Sequence, residues 1–227
     1  RIRLRYKYFR IIILKYNWMK IIIATTSRSK VNDIKNIISF SKLSYKVDDI
    51  LSLDELGISL PSSPEDCDTV KGNSEQKLAF YYEKLVGTKY SSPDTYLVSE
   101  DTGLFINALN GEPGVRTARY GGVHDYELTN RMILDKMNNK INRYCTINSC
   151  ISSLELVPGK TLNDIKSYDV SFHCCKIAES ESRVKGFAFD TIVIPFTMES
   201  TTYSELSATD RLKYLPRKYA IEEFRSE

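Results

Sequence analysis

The chain has 227 residues, of which 42% are hydrophobic and 27% are charged. This length and composition allow a substantial core without disulfides or metals, and they exclude a collagenous, low-complexity or fully disordered chain. No apolar run approaches the ~20 residues that a membrane helix needs, so we expect no membrane partner.

The formal net charge of +3 is unevenly distributed along the chain. Residues 1–18 contain six basic residues and no acidic one, which leaves −3 for residues 19–227. We therefore predict a basic N-terminal extension over 1–18, which we expect to be functionally neutral, and one folded domain over 19–227 that begins at Met19. Because the extension alternates basic with apolar residues, an edge strand or a surface-binding arm stays open.

The five cysteines are odd in number and form no C-x-x-C pair, and the sequence has only two histidines. No zinc pattern emerges from this set. Free thiols are the rule in reducing compartments, so we predict five reduced cysteines in a cytoplasmic protein.

The first half of the chain predicts strands and helices in alternation. Residues 20–25 form a continuous β-branched run, which is typical of a strand buried on both faces. After a polar turn at 26–29, apolar residues recur at helical spacing up to about Phe40. The predicted elements that follow are a strand, a loop and a helix, at residues 45–51, 57–68 and 70–85.

The second half continues the alternation. A strand over 95–99 leads directly into Glu100 and Asp101, which we expect at its C-terminal end. The remaining predicted elements are a helix, two antiparallel strands, a short strand and a final helix, at residues 128–137, 143–157, 167–177, 192–195 and 204–225. We expect the final helix to be interrupted near Pro216. This order indicates an α/β domain with a mixed sheet.

The turn after the first strand carries Thr25, Thr26, Ser27 and Lys30. Backbone N–H groups at a helix start, together with hydroxyls and a cation, make a natural phosphate-binding site. A plain N-capped helix would have the same residues, so this stretch alone leaves both interpretations open. It contains no glycine and is therefore not a Walker loop.

The acidic pair Glu100 and Asp101 is the second candidate site. Adjacent carboxylates on an extended chain project in different directions, so one can hold Mg²⁺ while its neighbour orients or deprotonates a water. Ligands bind at strand ends in α/β sheets, which favours a site here. An acidic turn is the alternative.

A third candidate is the stretch in which Phe187 and Phe189 precede Asp190. Two aromatic rings followed by an acid could stack a nucleobase and accept its N–H groups. A pair of core aromatic residues would have the same pattern.

Together with a glycine-rich block, these stretches resemble the inosine triphosphate pyrophosphatase family. The residues that carry the resemblance are Thr25 to Lys30, Ser99-Glu100-Asp101-Thr102-Gly103-Leu104, Asn107-Ala108-Leu109-Asn110-Gly111-Glu112-Pro113-Gly114-Val115 with Ala118-Arg119-Tyr120-Gly121-Gly122, and Gly186-Phe187-Ala188-Phe189-Asp190. The block over 99–122 is highly specific, and the weaker stretches agree with it in order.

The resemblance implies a homodimeric, two-lobed α/β fold with a long mixed β-sheet flanked by helices and an active-site cleft between the lobes. It implies an enzyme that hydrolyses ITP, dITP and XTP to the monophosphate and pyrophosphate and so sanitises the nucleotide pool. The implied cofactor is Mg²⁺, with Mn²⁺ as a substitute. The implied partner is a purine nucleoside triphosphate rather than a nucleic acid.

The resemblance also implies roles for individual residues. Asp101 would be the metal-linked base that activates water, with Glu100 in support. The phosphate-binding residues would be Thr25, Thr26, Ser27, Lys30, Lys77, Thr102 and Arg211. The base-binding residues would be Phe187, Phe189, Asp190 and Arg217. The metal would be held by Asp101 and Glu65, with Asp66 as the alternative to Glu65.

The base-recognition residues depart most from the family pattern. Leu215 and Pro216 stand where the family has serine and histidine, and proline offers no side-chain donor. Thr26 and Ser27 replace a glycine and an asparagine. The carboxylate and phosphate residues match better, so we expect pyrophosphohydrolase chemistry with altered base selectivity.

Two other classes of protein stay open. The departures would also suit a degenerate, non-catalytic module that binds nucleotides or dimerises. The basic extension would suit a nucleic-acid-binding protein, whose affinity would fall with salt. Residues 19–227 have a net charge of −3 and place only a few basic residues beside acidic ones. This pattern favours the binding of one Mg²⁺-bound triphosphate over the binding of a nucleic acid across a surface.

Overall fold

A computed structural model describes residues 19–41, 47–122 and 125–224. The strands are β1 (Met19–Ile23), β2 (Val47–Ser52), β3 (Thr95–Ile106), β4 (Pro113–Gly114), β5 (Tyr144–Glu155), β6 (Lys166–Ile177) and β7 (Val193–Ile194). The helices are α1 (Arg28–Phe40), α2 (Val70–Leu85), α3 (Tyr126–Lys136), α4 (Ala208–Lys213) and α5 (Pro216–Glu223). The basic extension over 1–18 and the first two residues of the second predicted strand lie outside the described residues.

The strands form one mixed sheet in the order β2-β1-β3-β5-β6-β7, with β4 beside β3. β1 is parallel to β2 and β3, whereas the β3-β5, β5-β6 and β6-β7 pairs are antiparallel. Helices pack on both faces of this sheet. The predicted α/β class with a long mixed sheet is therefore confirmed, as is the antiparallel pair in the second half of the chain.

β1 is buried on both faces, as its continuous apolar run predicts. Ile21 and Ile23 pack with apolar residues of α1 and α5, whereas Ile22 and Ala24 pack with apolar residues of α2. This alternation follows from the two-residue period of a strand. Around β1, the sheet is thus the middle of three layers, with α1 and α5 on one face and α2 on the other.

A separate hydrophobic core lies at the C-terminal end of β3. Leu104 and Ile106 pack there with Ile133 of α3, with Met137 just after it, and with buried residues of β5 and β6. This core forms a second lobe. The boundary between the two lobes falls at residues 99–103, in the middle of β3.

The acidic pair lies inside a strand, so the prediction that the strand ends near Ser99 is wrong. β3 continues to Ile106 and pairs with β5 along residues 96–106 without interruption. This ladder satisfies the backbone N–H and C=O groups, and it outweighs the turn-like local sequence. On its other edge β3 pairs with β1 up to Val98 and with β4 from Leu104.

The interruption predicted at Pro216 divides the last helical segment into α4 and α5. Pro216 occupies the first turn of α5, where its missing N–H needs no partner. α3 begins two residues before its predicted start, because the Asp125 side chain accepts a hydrogen bond from the N–H of Leu128 and caps the helix. None of the helices within these ranges has the length and apolar character needed to cross a membrane.

Candidate active site

The site begins at the turn that joins β1 to α1. Thr25 Oγ1 accepts a hydrogen bond from the N–H of Ser27 at 3.2 Å, and Ser27 Oγ accepts one from the N–H of Lys30 at 3.4 Å. Ser27 is thus the N-cap of α1. The two interpretations of this stretch are compatible, because the capped turn also lines a cleft.

Glu100 and Asp101 lie at the gap between β1 and β4, along the edge of β3. The Glu100 side chain is fully buried, with its Oε2 2.8 Å from Lys30 Nζ and its Oε1 3.5 Å from Arg217 Nε. Thr102 Oγ1 donates a hydrogen bond to the same carboxylate. Glu100 is therefore held under the cleft by two cations and a hydroxyl.

Asp101 points to the opposite face of β3, toward α2. Asn73 Nδ2 donates a hydrogen bond to its Oδ2 at 3.2 Å, and its Oδ1 lies 3.6 Å from Lys30 Nζ and 4.0 Å from Lys77 Nζ. Lys77 Nζ also donates to the Glu100 carbonyl at 3.0 Å, which satisfies a backbone group at an edge of β3 where no other described strand pairs with it. Lys30 and Lys77 thus flank the Asp101 carboxylate.

Glu65 closes one side of the cleft. Its Oε1 lies 2.6 Å from Lys77 Nζ, and its Oε2 lies 3.5 Å from Arg119 NH1. Asp66 instead accepts a hydrogen bond from Gln76 Nε2 at 2.6 Å on the exposed surface. Of the two alternative metal ligands, Glu65 is the one that lines the cleft.

The two adjacent carboxyl groups have opposite pKa shifts. Burial would raise the pKa of Glu100, but the charges of Arg217 and Lys30 outweigh it and lower the pKa to about 2. Burial raises the pKa of Asp101, although Lys30 and Lys77 act against the rise. Glu100 is therefore a permanent anion, and Asp101 is the member of the pair that is suited to exchange a proton.

Lys30 and Glu65 are charged for the same electrostatic reason. Burial would lower the pKa of Lys30, but Glu100 and Asp101 outweigh it and raise the pKa well above its ordinary value. Burial would raise the pKa of Glu65, but Lys77 outweighs it and lowers the pKa. Buried acids and lysines thus stabilise each other's charged forms across the cleft.

The aromatic stretch forms a tight turn over residues 188–191 on the opposite wall. Phe187 and Phe189 line the cleft. Asp190 is buried behind the turn, where its Oδ2 accepts hydrogen bonds from the N–H of Phe187 at 3.4 Å and from Arg211 Nε at 3.0 Å. The Asp190 carboxylate therefore holds the turn from behind.

Arg211 and Arg217 converge on Asp33, a buried acid that no sequence motif indicates. Asp33 Oδ1 accepts a hydrogen bond from Arg211 NH1 at 2.9 Å, and its Oδ2 accepts one from Arg217 NH1 at 3.0 Å. Asp33 is buried on the same face of α1 as Ile34 and Ile37. The sequence does contain one indication of this role, because Asp33 falls among the apolar positions of an amphipathic helix. A charged side chain that is buried is usually paired with an opposite charge.

The cleft has a volume of about 190 Å³. The sequence-predicted residues that line it are Thr25, Thr26, Ser27, Lys30, Glu65, Lys77, Asp101, Thr102, Phe187, Phe189 and Arg217. Glu100, Asp190 and Arg211 do not line it and contact residues behind its walls. Tyr126 and Thr117 line it although neither was predicted. The cleft therefore joins a charged end to an aromatic end.

The carboxylates of the cleft suit a magnesium ion that is shared with a ligand. Within the described ranges, no group of three or more histidine, cysteine, aspartate or glutamate side chains could hold a metal by itself. Mg²⁺ is normally bound by one or two carboxylates together with substrate phosphates, rather than by an all-protein cage. Glu65 and Asp101 offer such hard oxygen donors on the cleft wall, so the donor set fits this ion.

The fold and the cleft define a two-lobed α/β enzyme. The model of the Ham1 family matches residues 21–227. The chain belongs to the Ham1 family, and the resemblance to the inosine triphosphate pyrophosphatases is confirmed.

Named relatives cover nearly the whole chain. The dITP/XTP pyrophosphatase of Leuconostoc mesenteroides is 32% identical over 207 residues, which cover 90% of this chain and 94% of the relative. The enzyme of the same name from Clostridium perfringens is 30% identical over 214 residues, covering 91% of this chain and 95% of the relative.

Two solved structures have the same fold. The HAM1 protein of Coxiella burnetii has a TM-score of 0.70 and 20% sequence identity, and the match covers 92% of this chain and 97% of that one. The Ham1 protein of Staphylococcus aureus has a TM-score of 0.67 and 24% identity, covering 91% and 96%. At this identity the two structures support the fold alone.

Proposed function

We propose that this chain is a nucleoside triphosphate pyrophosphatase that hydrolyses purine nucleotides such as ITP, dITP and XTP to the monophosphate and pyrophosphate. The observation that carries the proposal is the adjacent pair of Glu100 and Asp101, buried between Lys30 and Lys77 with opposite pKa shifts. The relatives named dITP/XTP pyrophosphatase support the reaction and the substrate class.

The charged end of the cleft would bind the triphosphate. Lys30 and Lys77 carry positive charge, and the hydroxyls of Thr25, Thr26 and Ser27 line the same wall. Phosphoryl transfer depends mainly on positioning and on neutralising charge. Lys30 and Lys77 would therefore stabilise the negative charge that develops on the pyrophosphate leaving group. The Thr102 hydroxyl would contact a phosphate oxygen by turning its hydrogen from Glu100 to that oxygen.

Asp101 would act as the general base that takes a proton from the attacking water. Its raised pKa suits proton exchange, and the Asn73 hydrogen bond fixes the orientation of the carboxylate. Glu100 would support it from below by holding Lys30 and Arg217 in place. Glu65 and Asp101 would hold Mg²⁺, for which Mn²⁺ could substitute. When bound, this ion would neutralise phosphate charge and make the water more acidic.

Base selectivity in this chain should be broader than a strict preference for ITP and XTP. Pro216 has no donor side chain, and Arg217 is already engaged by Asp33 and Glu100. Asp190 is likewise bound by Arg211 and by the turn that it caps. Phe187 and Phe189 remain to stack the base, and stacking tolerates different bases because every base has a π-face.

The setting proposed for this enzyme is the cytoplasm, where free nucleotides occur. All five cysteines are free thiols, as expected in a reducing compartment. We also propose a homodimer, as the family resemblance implies. Sedimentation or light scattering of the purified chain tests that assembly.

A nucleotide panel tests the proposed function directly. The full chain is assayed with Mg²⁺ and ITP, dITP, XTP, GTP, ATP or dUTP, and phosphate and pyrophosphate are measured separately. We expect pyrophosphate without phosphate, comparable turnover of ITP and GTP, and a loss of at least about 10²-fold for Asp101→Asn. Asp135→Asn, an exposed change on α3, should match the wild type.

The outcomes separate the candidate functions. If wild type and Asp101→Asn are equally inert but still bind nucleotide, the chain is a non-catalytic nucleotide-binding module. Strict selectivity for ITP and XTP would contradict the altered base recognition while leaving the hydrolytic function intact.

A further inference from the structure

Tyr126 has no role in the proposed chemistry, although it lines the cleft. It is the first residue of α3, directly after the Asp125 cap. Its ring meets the ring of Phe187 edge to face, with centroids 5.2 Å apart and an interplanar angle of 63°. Such edge-to-face pairs are favourable beyond the area they bury. Tyr126 thus extends the aromatic wall of the cleft.

The packing of α3 fixes this wall as one unit. Asn130, one helical turn after Tyr126, donates from its Nδ2 to the carbonyl of Ala188 at 2.9 Å and to Thr191 Oγ1 at 3.1 Å. Both acceptors belong to the turn that carries the aromatic residues. The position of Tyr126 relative to Phe187 is therefore determined by hydrogen bonds between the two elements.

The Tyr126 side chain lines the same cleft as Lys30, Glu65 and Lys77. Burial raises the pKa of this phenol, and Lys30, Glu100 and Glu65 have smaller effects on it. The group is therefore protonated and able to donate a hydrogen bond into the cleft that it shares with these charged residues. No hydrogen bond joins it to another residue in the part of the chain that the structure describes, so its donor is available to a ligand.

We propose that Tyr126 is a substrate-binding residue whose hydroxyl donates a hydrogen bond to an oxygen of the α-phosphate. This inference rests on the proposed function. The α-phosphate joins the nucleoside to the rest of the triphosphate, and Tyr126 packs against Phe187 of the aromatic end while lining the same cleft as Lys30 and Lys77. A hydrogen bond to an anionic oxygen is stronger than one between neutral groups, so the hydroxyl would help to orient the atom that water attacks.

Tyr126→Phe removes the hydroxyl and keeps the ring against Phe187. We expect kcat/KM for ITP to fall about 10- to 100-fold, the effect of one hydrogen bond to a charged group. The melting temperature should stay that of the wild type. Tyr144→Phe removes a hydroxyl from an exposed tyrosine that does not line the cleft and should change neither value. Unchanged kinetics in Tyr126→Phe, with an active wild type, would overturn the inference.

A binding experiment identifies which part of the substrate meets the hydroxyl. Calorimetry compares wild type and Tyr126→Phe with α,β-methylene ITP and with inorganic tripolyphosphate, which has no nucleoside. Weaker binding of both probes supports contact with phosphate. If only the nucleotide binds more weakly, the hydroxyl contacts the nucleoside and the proposal is wrong.

The same comparison separates this inference from the proposed function. If the wild type binds the nucleotide analogue but releases no pyrophosphate, the proposed function is wrong. The difference in binding between the wild type and Tyr126→Phe still decides the role of Tyr126 in that case. A wild type that neither binds nor hydrolyses nucleotide overturns both.

Discussion

Glu100 is buried without solvent exposure and yet is ionised, because Lys30 and Arg217 face it from two helices. Asp101, the next residue, has its pKa shifted in the opposite direction. The difference arises from strand geometry, since successive side chains point to opposite faces of the sheet. Two adjacent acids can therefore have separate roles.

The lowered pKa of Glu100 predicts an acid-sensitive contribution to stability. The folded-state pKa is about 2, below the ordinary value of 4.5. The contribution is therefore fully present above about pH 4.5 and is lost as the pH falls toward 2. From the size of the shift it is about 3 kcal/mol.

Urea unfolding at a series of pH values checks this prediction. The free energy of unfolding should fall more steeply between pH 4.5 and 2 for the wild type than for Glu100→Gln, which cannot titrate. Glu83→Gln changes an exposed glutamate on α2 and should keep the wild-type slope. Parallel slopes for the wild type and Glu100→Gln would show that Glu100 titrates normally.

At the scale of elements, Asp33 connects three helices. Its carboxylate on α1 contacts Arg211 on α4 and Arg217 on α5. Arg217 lines the cleft, and Arg211 contacts Asp190 behind the aromatic turn. Asp33 therefore helps to position Arg217 at the charged end of the cleft and, through Arg211 and Asp190, the turn at the aromatic end.

Asp33→Asn should destabilise the fold by about 1–3 kcal/mol, because two largely buried arginines each lose one of their two carboxylate partners and keep only Asp190 or Glu100. The KM for ITP should also rise, since Arg217 and the aromatic turn lose a support. Urea unfolding and steady-state kinetics measure the two effects. Asn32→Ala, on the exposed side of the same helix, should alter neither, and a stable Asp33→Asn variant with normal KM would exclude the connecting role.

The elements also show where local sequence misleads. The polar stretch after Ser99 has the composition of a turn, yet it is the middle of a twelve-residue strand. Pairing with β5 decides this, and no local pattern contains that information. The helix α2, in contrast, has the bounds that the sequence predicts, Val70–Leu85, because its cap and its apolar positions are local.

At the scale of the molecule, the domain boundary predicted at Met19 has a direct test. β1 begins at Met19, and the Ham1 family model matches from residue 21. Residues 19–227 alone should therefore have the melting temperature and the kcat/KM of the full chain. A loss of activity on deleting 1–18 would assign the extension a role in the site. Salt-sensitive RNA binding that disappears with the deletion would revive the nucleic-acid alternative.

The sequence by itself determined the α/β class, most helix positions and eleven residues that line the cleft. The fold class and the helices follow from hydrophobic periodicity, and most of the cleft residues follow from short motifs, which are local properties of the chain. Glu65, Lys77 and Arg217 were indicated only by the family resemblance. Only the tertiary structure decided which charges meet. Arg211 and Asp190 lie behind the cleft wall and Tyr126 lies on it, because burial and partners come from elements far apart in the chain. Residue type alone cannot specify whether a charged side chain faces a ligand or a buried counter-ion.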